Sequence, residues 1–323
     1  MRKFLLASTA LVAMTGSAYA DVSLSAYYEF GYTSISDDTD SDLDAMFSDT
    51  EYHITFSETT DSGLTYSATF EVEGDASASG KDESSMSIST ADMGSFVLGM
   101  NDEANYSFQT WLPGARGSAG AWDNQYGVTQ GNSAGSAITS GLSANPTANN
   151  SADKNTFAYF SPNMGGVKFG MSTNTEGDED NTAFGMSYTG DLMGNAFTIT
   201  AAQQSDGESS ETEITTYGVS FGVGSATVAA SSKSKESGST YDTTTTGVGI
   251  GVPMGNGMNV YASISTSEDD VSKDTLDVNT ISMDYSIAPG LNFAAAANSY
   301  QLEGSSITNN DANELTVSIQ ANF

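Results

Sequence analysis

The 323-residue sequence has no cysteine, one histidine, two tryptophans, five prolines and only nine lysines and arginines against 41 aspartates and glutamates. Without cysteine, neither disulfides nor thiolate metal sites can hold the chain together, so stability must come from extensive backbone pairing. The single histidine, His53, stands between Tyr52 and Ile54 on an alternating segment, with no His-Glu-x-x-His pattern. It reads as a polar wall residue, and no enzymatic site is expected. The net charge of −32 repels phosphates and argues against a nucleic acid partner. No apolar run reaches the ~18 residues that a membrane-spanning helix needs. The longest, Phe4 to Met14, follows Arg2 and Lys3 and precedes Ala18-Tyr19-Ala20. That is the layout of a secretory leader, so residues 1–20 are expected to be a cleaved signal peptide and residues 21–323 the mature domain.

What the chain does have is glycine, 15 tyrosines, 15 phenylalanines and abundant serine and threonine, which suit strands joined by tight turns. About sixteen short segments alternate apolar and polar residues with period two. In the first, Val22, Leu24, Ala26, Tyr28 and Phe30 share one face; in the last, Leu315, Val317, Ile319, Ala321 and Phe323 do. A strand that ends on Phe323 must be paired to be stable, which is how a closed barrel finishes.

The connections carry independent information, because they alternate between short and long. Short ones are expected at 59–63, 92–94, 161–166, 189–195, 222–225, 253–257 and 286–290, rich in Gly, Asp and Asn. Long polar ones are expected at 34–50, 73–83, 101–155, 173–181, 203–212, 231–242, 266–276 and 299–313, and they hold most of the acids. Pro113, Pro146, Pro162, Pro253 and Pro289 are all expected outside strands. Short turns on one side and long loops on the other describe an up-and-down barrel of the outer-membrane type.

In lipid, every backbone donor and acceptor must find a partner within the protein, so an all-β spanning chain has to close. With the Val22/Leu24 face turned to lipid, Glu29, Glu51, His53, Glu71, Lys168 and Asp284 turn inward. A lysine at the lipid midplane would cost about 2–4 kcal/mol, so Lys168 faces water. A barrel of sixteen strands is too wide for its side chains to fill and encloses an aqueous channel. The connection 101–155, far longer than the usual ~4–6 residues, is expected to fold inward and narrow it. It contains Trp111, Trp122 and Arg116.

The stretches Ser57-Glu58-Thr59-Thr60-Asp61-Ser62-Gly63-Leu64-Thr65-Tyr66 and Asp92-Met93-Gly94-Ser95-Phe96-Val97-Leu98-Gly99-Met100 resemble hairpins of the trimeric general porins of Gram-negative bacteria, especially the alphaproteobacterial branch. The resemblance implies a sixteen-stranded antiparallel transmembrane β-barrel, a homotrimer, an outer-membrane location among lipid and lipopolysaccharide, and passive diffusion of small hydrophilic solutes. It also implies that Phe323 is read by the barrel-insertion machinery. In that family loop carboxylates oppose a basic cluster on the wall. Asp102, Glu103 and Asp123 match the acidic side by position, whereas inward bases reduce to Lys168 and the mostly neutral His53. Lys81, Lys154, Lys233, Lys235 and Lys273 are expected in or beside external loops. Scarce bases among many acids give the expectation of a cation-preferring channel.

Two alternatives stay open at this level. Asp38, Asp40, Asp42 and Asp44 imitate the spacing of a calcium loop, but Leu43 stands where the sharp turn needs glycine, so weak calcium binding competes with simple solvation. An exported acidic adhesin-type β protein without a pore would share the composition, though not the short/long alternation.

Overall fold

A computed structural model describes residues 20–37, 43–74, 83–119, 142–147, 154–176, 179–205, 212–238, 240–304 and 310–323. Sixteen strands run β1 (Asp21–Asp37), β2 (Leu43–Thr59), β3 (Thr65–Glu73), β4 (Ser84–Thr90), β5 (Gly94–Met100), β6 (Asn155–Phe160), β7 (Val167–Glu176) and β8 (Glu179–Leu192). They continue as β9 (Asn195–Ser205), β10 (Thr212–Val223), β11 (Ala226–Ser237), β12 (Tyr241–Gly255), β13 (Met258–Asp269), β14 (Thr275–Ala288), β15 (Leu291–Glu303) and β16 (Asn310–Asn322). Each pairs with its sequence neighbours, and β1 pairs antiparallel with β16, so the sheet is a closed barrel without an edge.

Closure ends on the last residue. Phe323 N–H donates to the Ala26 carbonyl at 2.9 Å, and Ala26 N–H donates to the Phe323 carbonyl at 3.2 Å. The phenyl ring itself is 80 % exposed.

The alternation read from sequence sorts the two faces. On β14, Thr280 and Ser282 are each 3 % exposed while Ile281 between them is 67 % exposed. Leu24, Phe30, Ile199, Leu315 and Ile319 share the exposed apolar outside, whereas Thr200, Thr316 and Ser318 are buried within. The molecule is therefore apolar outside and polar inside, the reverse of a water-soluble domain and the arrangement that lipid demands.

All seven short turns fall where the sequence places them. Two show why glycine is required. Gly94 has φ +78°, and a Cβ there would meet the Phe160 carbonyl oxygen at 2.1 Å; Gly290 has φ +76° and lies against the Asn322 carbonyl. Pro253 differs from expectation, since it belongs to β12 and sits at a register shift next to Gly255. A bulge is one of the few strand positions that spares a ladder donor.

Six of the eight long connections are shorter than the sequence suggests, while those after β3 and β5 keep their expected lengths to within a residue. The first spans 38–42 rather than 34–50, and the one after β13 spans 270–274 rather than 266–276. Strands extend past the lipid into water, where neither face has to be apolar and period-two hydrophobicity disappears although the ladder continues.

Candidate channel lumen and its constriction

The connection between β5 and β6 is described over residues 101–119 and 142–147. It begins with a single 3-10 turn, Ala104–Phe108. Ala104 N–H donates to Ser172 Oγ on β7 at 2.8 Å, and Asn105 Nδ2 to Gln204 Oε1 on β9 at 3.0 Å. Thr110 pairs with Thr200 on β9 at 2.8 Å, and Ala115 N–H donates to Ser282 Oγ on β14 at 3.0 Å. Three of these wall partners, Ser172, Thr200 and Ser282, alternate with the exposed apolar residues Met171, Ile199 and Ile281, so the segment runs along the inside of the barrel. Residues 142–147 do likewise: Lys233 Nζ donates to Ser143 Oγ at 2.9 Å, and Ser265 Oγ to the Ala144 carbonyl at 2.8 Å.

A track of inward glycines makes room for this path. A Cβ on Gly185 would fall 2.6 Å from Phe108, on Gly218 2.3 Å from Thr110, and on Gly247 2.8 Å from Leu112. The sequence held this signal, because Gly185 and Gly218 sit on the inward register between outward apolar residues, and Gly247 sits beside outward Val248. Where the inner wall lacks side chains, something else fills the space.

Arg116 then reaches the adjoining wall of β1 and β2. Its Nε lies 2.6 Å from Glu29 Oε2 on β1, and its terminal nitrogen 2.7 Å from Asp49 Oδ2 on β2. The guanidinium also lies 5.7 Å from the centre of the Tyr27 ring, and the Tyr27 hydroxyl donates to Glu29 at 2.7 Å. The Glu29 side chain is fully buried by these partners.

Cross-strand register stacks carboxylates beside this contact. Glu29 stands opposite Asp49, Glu51 opposite Glu73, and His53 opposite Glu71. Like charges directly opposite destabilise a sheet pair, so this wall is held at a cost that Arg116 and His53 offset in part. His53 Nε2 lies 3.2 Å from Glu51 and its Nδ1 3.1 Å from Glu71. Asp49, Glu51 and Glu73 offer oxygens all within 4.8 Å of one another, close enough to attract a shared cation, although Asp49 already engages Arg116.

The wall and Trp111, Leu112 and Pro113 from the connection enclose a cavity of ≈ 1020 Å³, with Tyr261 on the far side. Asp284 accepts from Asn259 Nδ2 at 2.7 Å and from the Tyr261 hydroxyl at 2.5 Å. Lys168 lines a second cavity of ≈ 500 Å³ with Ser161, Ser187 and Thr189.

Among the described residues, carboxylates stand on the wall of β1–β3 and the connection supplies the guanidinium of Arg116. Asp102 is half-buried, and Glu103 is 1 % exposed and accepts from Asn174 Nδ2 at 2.7 Å, beneath the connection rather than in the opening. Asp123, Trp122 and Lys81 lie outside the described residues, as do Asp38, Asp40 and Asp42. Asp44 belongs to β2 and accepts from the Tyr32 hydroxyl at 2.8 Å. Lys233 and Lys235 are strand residues of β11, and Lys233 is buried. Sequence reading missed Asp49 and Glu73 because they fall in the stretches 34–50 and 73–83 expected as long connections, whereas both belong to strands. A Gly131-Asn132-Ser133-Ala134-Gly135 stretch spells the nucleophile-elbow pattern, also outside the described residues, and the only histidine is His53 on the wall.

Closed, apolar outside and hollow within, the fold defines an outer-membrane diffusion channel, a non-enzymatic protein. The model of the Gram-negative porin family matches residues 7–305, and the chain belongs to that family. Comparison with curated protein sequences returned no match. Among solved structures, it is similar to the anion-selective porin from Comamonas acidovorans, at 15 % identity, TM-score 0.69 and coverage of 94 % of this chain and 100 % of that one. A substituted Rh. blastica porin matches at 18 % identity and TM-score 0.67, covering 94 % and 100 %. At these identities the likeness is one of fold. Membership of the porin family places the chain in the outer membrane.

Proposed function

We propose that this channel passes small hydrophilic solutes and prefers cations. One observation carries the reading: the carboxylates of Glu29, Asp49, Glu51, Glu71 and Glu73 line one wall, and the basic groups facing them are Arg116 and His53. Charged rings at a narrow aqueous passage raise the local concentration of the opposite ion. The Comamonas porin is anion-selective by its name; the acid-rich wall supports the opposite preference here. The working form is a homotrimer of the alphaproteobacterial type, exported by the leader of residues 1–20, seated among lipid and lipopolysaccharide and inserted by the barrel machinery through Phe323. Planar-bilayer recording across a potassium chloride gradient tests the reading. A reversal potential of the sign set by potassium supports it, and one set by chloride removes it.

A further inference from the structure

The wall beneath residues 115–119 is built as a clamp. Asn298 on β15 is 2 % exposed. Its Oδ1 accepts from the Ala119 N–H at 3.0 Å and from the Thr280 hydroxyl at 2.8 Å. Its Nδ2 donates to the Gly117 carbonyl at 2.8 Å and to Glu314 Oε2 at 3.0 Å. A backbone N–H only donates and a backbone carbonyl only accepts, so the two loop contacts fix which way the amide points. These four bonds fill the two lone pairs and two N–H groups of the side chain.

Glu314 on β16 is equally buried, at 2 %. It accepts from the Tyr300 hydroxyl at 2.7 Å and from the Thr316 hydroxyl at 3.2 Å besides Asn298. A buried carboxylate is costly unless its hydrogen bonds are met, and here hydroxyls and an amide meet them. Around it the inner face of β14–β16 carries neutral side chains, as at Thr280, Ser282, Thr316 and Ser318, whereas the inward carboxylate Asp284 lies farther along β14. An ionised carboxylate only accepts, so it gives Asn298 Nδ2 a matched partner that holds the amide.

On the upstream side, Ser282 Oγ accepts from the Ala115 N–H at 3.0 Å and from Ser118 Oγ at 2.6 Å. Gly117 packs so closely on Thr316 that a Cβ would lie 2.9 Å from it. Arg116 thus stands between two residues whose main chain is tied to the wall, and its long side chain starts from a fixed point.

We infer that Asn298 and Glu314, neither of which lines the lumen cavity, are positioning residues for Arg116. They hold its main chain so that the guanidinium rests on Glu29 and Asp49, and so set how much of the acidic wall is left to passing cations. The inference rests on the reading that those carboxylates govern ion preference.

The test uses purified, folded channel in planar bilayers under a potassium chloride gradient, with Asn298→Ala, Glu314→Gln and Arg116→Ala singly and combined. Releasing the clamp frees Glu29 and Asp49, so Asn298→Ala shifts the reversal potential further toward potassium and makes the open current noisier. Glu314→Gln removes the charge and puts an N–H where one carboxylate oxygen stood, and it gives a smaller shift of the same sign; it carries the test alone should Asn298→Ala not fold. In the Arg116→Ala background, neither variant moves the reversal potential further. An unchanged potential in both folded single variants overturns the inference, as does an equal shift with and without Arg116. A chloride-preferring parent channel removes the functional reading instead, and the comparison with and without Arg116 still decides whether the clamp acts through that residue.

Discussion

Arg116 Nε and Glu29 Oε2 lie 2.6 Å apart, joining the long connection after β5 to the first strand of the barrel. Only about a tenth of the Arg116 side chain and none of that of Glu29 is exposed. The pair therefore works in a site with little water to screen it. Arginine suits the task, because its planar fork serves two carboxylates at once.

Replacing Arg116 by alanine is expected to raise cation preference, since Glu29, Asp49 and Glu51 lose their nearest fixed positive charge. Removing one partner of a buried pair also leaves an uncompensated charge, a destabilisation of about 3–5 kcal/mol. Reversal potentials report the first effect, and denaturant unfolding of the detergent-solubilised barrel reports the second. A variant as stable as the parent would show that Glu29 finds water when the guanidinium leaves.

The carboxylates should not contribute equally. Glu51, which lines the cavity, and Glu71 beside His53 are partly exposed, at 34 % and 23 %, whereas Glu103 is 1 % exposed and bonded to Asn174. Glu51→Gln combined with Glu71→Gln is expected to reduce the potassium-to-chloride permeability ratio. Glu103→Gln should leave that ratio close to the parent value while loosening the 3-10 turn. The reverse ordering would place the selecting charge on the connection.

The barrel was legible because lipid imposes a rule on every second residue: Leu24, Phe30 and Ile281 had to be apolar, and tight turns had to carry residues such as Gly94 and Gly290. The wall charges were legible in part. Glu29, Glu51, His53 and Glu71 follow from alternation, because their neighbours Tyr28, Tyr52, Ile54 and Phe70 mark the lipid face. Asp49 has only Ser48 and Thr50 beside it, so no periodicity announces it, and Glu73 falls at the first residue of a stretch expected as a connection. Which charge Arg116 meets was not legible either, since it depends on the path of residues 101–119 around the wall. That path is set by long-range contacts such as Thr110 with Thr200 and Asn298 with Gly117.

Deleting Phe323 is expected to lower the yield of assembled barrel. The residue supplies two backbone hydrogen bonds to Ala26 at the β1–β16 seam, at 2.9 and 3.2 Å, and the exposed ring that lies beside them. Unmet backbone groups cost several kcal/mol each where water is absent and much less where it is present, so position relative to the lipid edge decides the size. Heat-modifiable migration on detergent gels measures the folded fraction. Phe323→Tyr keeps both backbone bonds and an aromatic ring and should recover the yield, while Phe323→Ala keeps only the bonds and separates the two contributions.

Enlarging an inward glycine should narrow the channel without opening the barrel. Gly185 on β8 lies against Phe108, with an added Cβ only 2.6 Å from the ring and from the Phe108 Cβ, and its backbone is ordinary strand. Gly185→Leu therefore leaves the ladder intact but wedges the 3-10 turn Ala104–Phe108 away from the wall and toward the lumen, an overpacking cost of about 1–3 kcal/mol. Single-channel conductance is expected to fall while heat-modifiability persists. Gly222→Ala is the matched control, because a Cβ there meets nothing closer than 3.6 Å, and its conductance should equal that of the parent. Equal conductance in both variants would mean that Phe108 can turn aside, and that the width of the passage is set farther along the connection, at Trp111 to Arg116.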